Sequence, residues 1–139
     1  MHQSQPEPRK TLLVVDDNED LLDLFTAVAN MEGCNVVTAT NGAQAVEKAS
    51  LHRPDLIFMD IRMPVMDGYE ATRRILSTPQ TSQVPVIAIS AHGDGDWKRR
   101  ANEAGCAECI QKPVDPSQLH DVIVRYIGRC ERDGPGDSA

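Results

Sequence analysis

Short apolar runs recur along this chain, and charged residues close them. Leu12-Leu13-Val14-Val15 leads into Asp16 and Asp17, Leu56-Ile57-Phe58-Met59 leads into Asp60, and Lys112 stands with Pro113 at the end of a third run. An apolar run of four or five residues without polar alternation suits a parallel strand covered on both faces. Candidate strands at 12–16, 35–39, 56–60, 84–90 and 108–111 alternate with candidate helices at 18–31, 42–52, 69–76, 94–104 and 117–130. A repeat of roughly 20 to 25 residues is the rhythm of βα units. Five such units predict an α/β domain built on an open, doubly wound parallel sheet. Right-handed crossovers bring every strand C-terminus to one edge, and ligands of such sheets bind at that edge. Asp16, Asp17, Asp60, Ser90 and Lys112 all fall at or just beyond a strand end.

The helices differ in clarity. The stretch 18–31 sets Leu21, Phe25 and Val28 on one stripe, with Asp17 or Asn18 to cap it and Gly33 to stop it. The stretch 42–52 offers a thin stripe of Ala43, Val46 and Ala49, and 69–76 is short, ending before Pro79. Gly93 and Gly95 loosen the start of 94–104, the weakest of the five. In 117–130, Leu119, Val122, Ile123, Tyr126, Ile127 and Cys130 recur at three- and four-residue spacing, the clearest helical signal.

With 139 residues the chain fits one domain with a core that needs no staples. Aromatics make up 4%, so that core must come from Val, Ile, Leu, Ala and Met. A net charge of -7 argues against nucleic acid or an anionic membrane as partner. No apolar stretch approaches the roughly 20 residues of a membrane span. The start, with Pro6 and Pro8, has no signal-like apolar core. A cytoplasmic folded domain over 10–130 is expected, with disordered segments at 1–9 and 131–139. Cys106 and Cys109 form a C-x-x-C, which reads as a redox pair, as half a zinc site, or as two reduced, partly buried thiols. No second pair or nearby His pair completes a metal site, and the pair precedes a strand instead of opening a helix. Ordinary thiols are the expectation.

The acids, the lysine and the serine suggest one chemistry. A carboxylate can attack phosphorus when the phosphoryl charge is neutralised and the geometry is in line. Mg2+ takes oxygen ligands, and clustered aspartates repel one another until a cation arrives. A lysine offers a point charge to phosphoryl oxygens, and the Ser90 hydroxyl could donate to the new phosphate. Each feature alone has a bland reading: Asp16-Asp17 as a helix cap, Asp67-Gly68 as a turn and helix start, Lys112-Pro113 as a strand end. Their convergence on one sheet edge is what argues for a site.

Asp16-Asp17, Asp60 with its Met63-Pro64-Val65-Met66-Asp67-Gly68 sequel, Ser90-Ala91 and Lys112-Pro113 together resemble the receiver domain of two-component response regulators, over about Lys10 to Arg129. The resemblance implies a flavodoxin-like (βα)5 fold with strand order 2-1-3-4-5. It implies that Asp60 accepts a phosphoryl group from a histidine kinase or histidine phosphotransfer protein. Asp17 and Asp60 would ligate Mg2+ directly, the backbone carbonyl of Arg62 would be a third ligand, and Asp16 would help through water. Lys112 would pair with the phosphate, Ser90 would stand in for the more usual threonine, and Pro113 would follow a cis peptide. The implied function is a single-domain response regulator that binds a downstream protein according to its phosphorylation, not a turnover enzyme. A phosphorelay shuttle to a second histidine protein and a receiver excised from a hybrid histidine kinase are the alternatives. A haloacid-dehalogenase-type phosphatase would need Asp-x-Asp after the first strand, which Asp16-Asp17-Asn18 does not supply. A flavin-binding flavodoxin would need a Ser/Thr/Gly-rich loop there.

Three positions depart from, or tune, that pattern. Cys109 stands where the family usually carries a Tyr or Phe switch residue, which shifts the expected signal to the loop around Gly93–Gly95. Arg62 and His92, each two residues past a key side chain, could lie over the phosphoryl group or be solvated loop residues. Trp97 with Lys98-Arg99-Arg100 reads as a partner surface or as a solvated helical face.

Overall fold

The computed structural model describes residues 9–91 and 95–128. Strands β1 (Thr11–Val15), β2 (Asn35–Ala39), β3 (Leu56–Asp60), β4 (Val86–Ser90) and β5 (Glu108–Gln111) form one parallel sheet in the order β2-β1-β3-β4-β5. Helices α1 (Glu19–Met31), α2 (Gly42–His52), α3 (Gly68–Leu76), α4 (Trp97–Ala104) and α5 (Pro116–Ile127) connect and follow them. This is the doubly wound parallel sheet that the βα rhythm predicts, in the flavodoxin-like order that the resemblance implies.

The strands that read as unbroken apolar runs are the covered ones: β3 and β4 are buried at every position, whereas the edge strand β2 is mostly half-exposed. Side chains of one strand alternate between the two faces, so the runs split into two layers. Leu12, Val14, Leu56, Phe58, Ile87 and Ile89 pack with α1 and α5. Leu13, Val15, Ile57, Met59, Val86 and Ala88 pack with α2, α3 and α4. The few aromatics are placed for volume: Phe25 meets Phe58 edge-to-face, with ring centroids 5.0 Å apart.

Helix α1 starts one residue later than expected because Asn18 caps it from outside, accepting from the N–H groups of Asp20 at 2.9 Å and Leu21 at 3.4 Å. Removing that acceptor leaves helix-end donors unsatisfied. Asn18→Ala should therefore lower the unfolding free energy by about 1 kcal/mol, measured by urea denaturation; an unchanged midpoint would refute the cap's contribution.

Helix α2 departs from its predicted stripe at one position: Val46 and Ala49 pack on the core, but Ala43 does not. Gly42, Ala45 and Ala49 are buried, while Ala43 is exposed. The cause is a close approach: the Gly42 N–H donates to the Met66 carbonyl at 3.1 Å, and a Cβ on Gly42 would lie 2.3 Å from that oxygen. Contact at residue 42 turns 45 and 49 inward, one helical turn and two turns on. Strand β4 begins at Val86 instead of 84, consistent with Pro85 having no N–H for the ladder. A 3-10 turn at Pro79–Thr81, held by the Thr81 hydroxyl donating to the Ile75 carbonyl at 2.6 Å, has no counterpart in the sequence reading. The expected disordered segments fall outside the described residues, apart from Arg9. No described helix is long and apolar enough to cross a membrane.

Candidate functional site

The sheet order reverses between β1 and β3, and the carboxylates meet there. Asp60 ends β3, Asp16 follows β1 directly, and these two strands pair in register from Leu12↔Leu56 to Val15↔Met59. Helices diverge on either side of such a switch point and leave a crevice at the strand C-termini. Across it, β4 pairs with β5 through Ser90↔Gln111, and the Lys112 N–H donates to the Ser90 carbonyl at 2.8 Å. Ladder continuity thus fixes where the lysine leaves the sheet. The Lys112–Pro113 peptide is cis, as the resemblance implies.

Asp16 and Asp60 are buried, at 2% and 3% exposure, while Asp17 is exposed. Carboxylate oxygens of the three lie within 4.8 Å of one another. The Lys112 Nζ is 3.0 Å from Asp16 Oδ2 and 3.4 Å from Asp60 Oδ2, so the lysine bridges the two buried acids. Their other oxygens are anchored to backbone: Asp16 Oδ1 accepts from the Asn18 N–H at 2.8 Å, and Asp60 Oδ1 accepts from the Arg62 N–H at 3.2 Å.

This packing sets the protonation. Burial, followed by the negative charge of Asp16, pushes the Asp60 carboxyl from 3.8 up to about 6, against the opposing pull of Lys112 and the Arg62 N–H. Burial acts on Lys112 as well, pulling its ammonium down. The hydrogen bond to Asp16 and the charges of both acids outweigh that, and its pKa ends above the usual lysine value. One ammonium therefore faces three carboxylates. An all-oxygen donor set of this kind, short of positive charge, fits a hard divalent cation such as Mg2+ and not a thiophilic one.

Ser90 is buried at the end of β4 and opens on a pocket of about 600 Å³. Asp17 and Arg62 line the same pocket from the sheet edge, while Tyr69, Trp97 and Arg100 reach it from α3 and α4. Spacing along the sequence does not bring these last three together, because α3 and α4 meet only through tertiary packing. Trp97 is 4% exposed, so it is a wall of the pocket and not part of an outer partner surface. Lys98, Arg99 and Arg100 are exposed. Arg62 lies exposed at the pocket, whereas His92 and most of the Gly93–Gly95 loop lie outside the described residues. Cys109 is half-buried and packs on the layer that contains Tyr69 and Trp97.

Cys106 and Cys109 are free thiols. Burial pushes Cys106 up to about 11 despite its contact with the Thr72 hydroxyl, and burial raises Cys109 as well. Neither thiol has the thiolate character that redox exchange needs, and among the described residues the only group able to hold a metal is the aspartate cluster.

Comparison with known proteins agrees with this geometry. Residues 12–124 match the model of the response regulator receiver domain. The polar-differentiation response regulator DivK of Brucella anthropi is 33% identical over 119 residues, which cover 86% of this chain and 97% of DivK. The signal transduction histidine-protein kinase BarA of Escherichia coli is 39% identical over 116 residues, covering 84% of this chain and 13% of that much longer protein. Among solved structures, the receiver domain of a sensor histidine kinase from Pseudomonas aeruginosa, with a magnesium ion coordinated in its active site cleft, is 35% identical. It superposes with a TM-score of 0.79 over 86% of this chain and 98% of that one. With five parallel strands in the expected order and its acids gathered at the switch point, the chain belongs to the response regulator receiver domain family of two-component signalling.

Proposed function

We propose that Asp60 accepts a phosphoryl group from a histidine kinase or a histidine phosphotransfer protein, and that the phosphorylated domain binds a downstream protein differently from the free one. The observation that carries this reading is a buried Asp60 whose carboxylate lies 3.4 Å from the Lys112 ammonium and shares a 4.8 Å cluster with Asp16 and Asp17. Mg2+ would be held by Asp17, Asp60 and the Arg62 carbonyl, with Asp16 acting through water; when bound it neutralises charge on the transferring phosphoryl group.

The chain's own groups do the rest. Asp60, titrating at about 6, is mostly ionised at neutral pH and presents a lone pair. That pair forms the new oxygen–phosphorus bond as the phosphorus–nitrogen bond of the phosphohistidine breaks, the electrons returning to the imidazole. Lys112, already against both acids, supplies its ammonium to a phosphoryl oxygen. The Ser90 hydroxyl, which lines the pocket, donates to another. A doubly charged group in place of a carboxylate biases the elements packed around it. The domain accepts and loses its phosphate without turning over a separate substrate, and a cytoplasmic setting fits a kinase donor.

The test is chemical mapping. After Mg2+-dependent transfer from a phosphorylated histidine kinase, borohydride reduces an acyl phosphate to an alcohol, so a phosphorylated aspartate becomes homoserine. Mass spectrometry should find homoserine at position 60. Conversion elsewhere, or none in a sample carrying phosphate, overturns the assignment.

A further inference from the structure

Two neighbouring arginines on α4 are held differently. Arg99 is clamped between Asp96 and Glu103, at 2.8 Å and 2.7 Å. Arg100 makes no ion pair among the described residues. Its guanidinium lies 4.3 Å from the centroid of the Tyr69 ring and lines the pocket onto which Ser90 and Asp17 open. Tyr69 is a firm platform, because it is buried and its hydroxyl donates to the Trp97 carbonyl at 3.4 Å. Stacked on that ring, Arg100 is oriented while its N–H donors are not taken up by a carboxylate. At about 600 Å³ the pocket has the size of a small-molecule site, with room for more than a phosphoryl group. Arg62 adds a second cation to its lining.

We propose that Arg100 is a specificity-determining residue for small phosphoryl donors: it receives the carboxylate released when an acyl phosphate gives its phosphoryl group to Asp60. The proposal rests on Asp60 being the acceptor. In the step, a lone pair of the Asp60 carboxylate forms the new bond to phosphorus. The bond from phosphorus to the acyl oxygen breaks, and that oxygen keeps the electron pair and departs as a carboxylate. Negative charge grows on the departing oxygen in the transition state, where a fixed guanidinium lowers the barrier. A planar carboxylate also matches the guanidinium fork, which an ammonium cannot reproduce. Phosphoramidate makes the contrast, because its nitrogen takes a proton from solvent and leaves as neutral ammonia, with no carboxylate for Arg100 to hold.

The experiment compares labelling rates of the full chain with Mg2+ and either acetyl phosphate or phosphoramidate, for wild type, Arg100→Gln and Arg100→Lys. The ratio of the acetyl phosphate rate to the phosphoramidate rate should fall about tenfold in Arg100→Gln, the effect of one charge-assisted contact, with partial recovery in Arg100→Lys. An unchanged ratio overturns the proposal, whether both rates fall together or neither does, since a structural role or a contact with the phosphoryl group itself would slow both donors alike. Failure of the acceptor reading looks different: labelling by both donors would survive Asp60→Asn, and this proposal would go with it.

Discussion

Asp60→Asn should cut Mg2+-dependent labelling to background and, in the metal-free protein, raise the unfolding free energy by about 1–2 kcal/mol near neutral pH. Both effects come from one arrangement. Burial and the charge of Asp16 hold the Asp60 carboxyl at about 6 instead of 3.8. The folded state therefore carries an ionised group that it disfavours by about 3 kcal/mol relative to the unfolded chain. An amide removes that charge at nearly the same volume. It also returns part of the gain, because two donors, the Arg62 N–H and Lys112, point at the carboxylate and an amide offers one acceptor. Loss of one such contact costs about 1–2 kcal/mol.

The pH dependence follows with a definite sign. Between about pH 4 and pH 6 the folded wild type binds more protons than the unfolded chain, so its stability falls as pH rises through that window. Below pH 4, roughly the unfolded value, Asp60 is neutral in both states and the penalty vanishes. The variant's advantage should be absent there and grow until pH exceeds about 6. Denaturant melts with chelator at several pH values measure it directly. Excess Mg2+ should stabilise the wild type more than the variant, because binding to the folded state adds to stability by mass action. A wild-type-to-variant difference that stays flat from pH 4 to 8 would mean that Asp60 is not under this strain.

That strain was only partly readable from residue order. The acids could be placed at one sheet edge because apolar runs mark strands, and parallel strands share an edge; β2, β3 and β5 lie where the runs put them. Order along the chain does not say that Lys112 lies closer to Asp16 than to Asp60, since that depends on how β5 hands the lysine across β4. Nor does it say which way a weak helix faces. Ala43, Val46 and Ala49 fit a helical period, yet contact between Gly42 and Met66 turns Ala45 inward in place of Ala43. Trp97 looked like a surface aromatic beside three basic residues. It is buried in the layer that also holds Tyr69 of α3, whose hydroxyl donates to the Trp97 carbonyl from 28 residues away in sequence. Spacing reports periodicity within an element; the pocket is made between elements.

Gly68→Ala should destabilise the protein by about 2–3 kcal/mol and slow phosphoryl labelling, although alanine is normally the better helix residue by about 1 kcal/mol. Asp67-Gly68 reads as an ordinary turn into a helix, and Asp67 does cap α3 by accepting from the Glu70 N–H at 2.9 Å. The glycine has a different cause. A Cβ there would lie 2.4 Å from the Asp60 carbonyl oxygen, 2.8 Å from the Ile61 Cα and 3.0 Å from the Met59 Cγ. The two closest are backbone atoms, so no side-chain rotation relieves the overlap. Either the first turn of α3 lifts, lengthening the 3.0 Å bond from the Gly68 N–H to the Ile61 carbonyl, or the end of β3 moves. Moving β3 displaces Asp60 itself against Lys112 and the Arg62 N–H, and misplacing a reacting group by about 1 Å can cost up to a hundredfold in rate. Thermal melts and labelling rates measured on the same preparation check both halves. Wild-type or greater stability would show that the helix propensity wins and that α3 does not rest on the backbone of the strand that ends in Asp60.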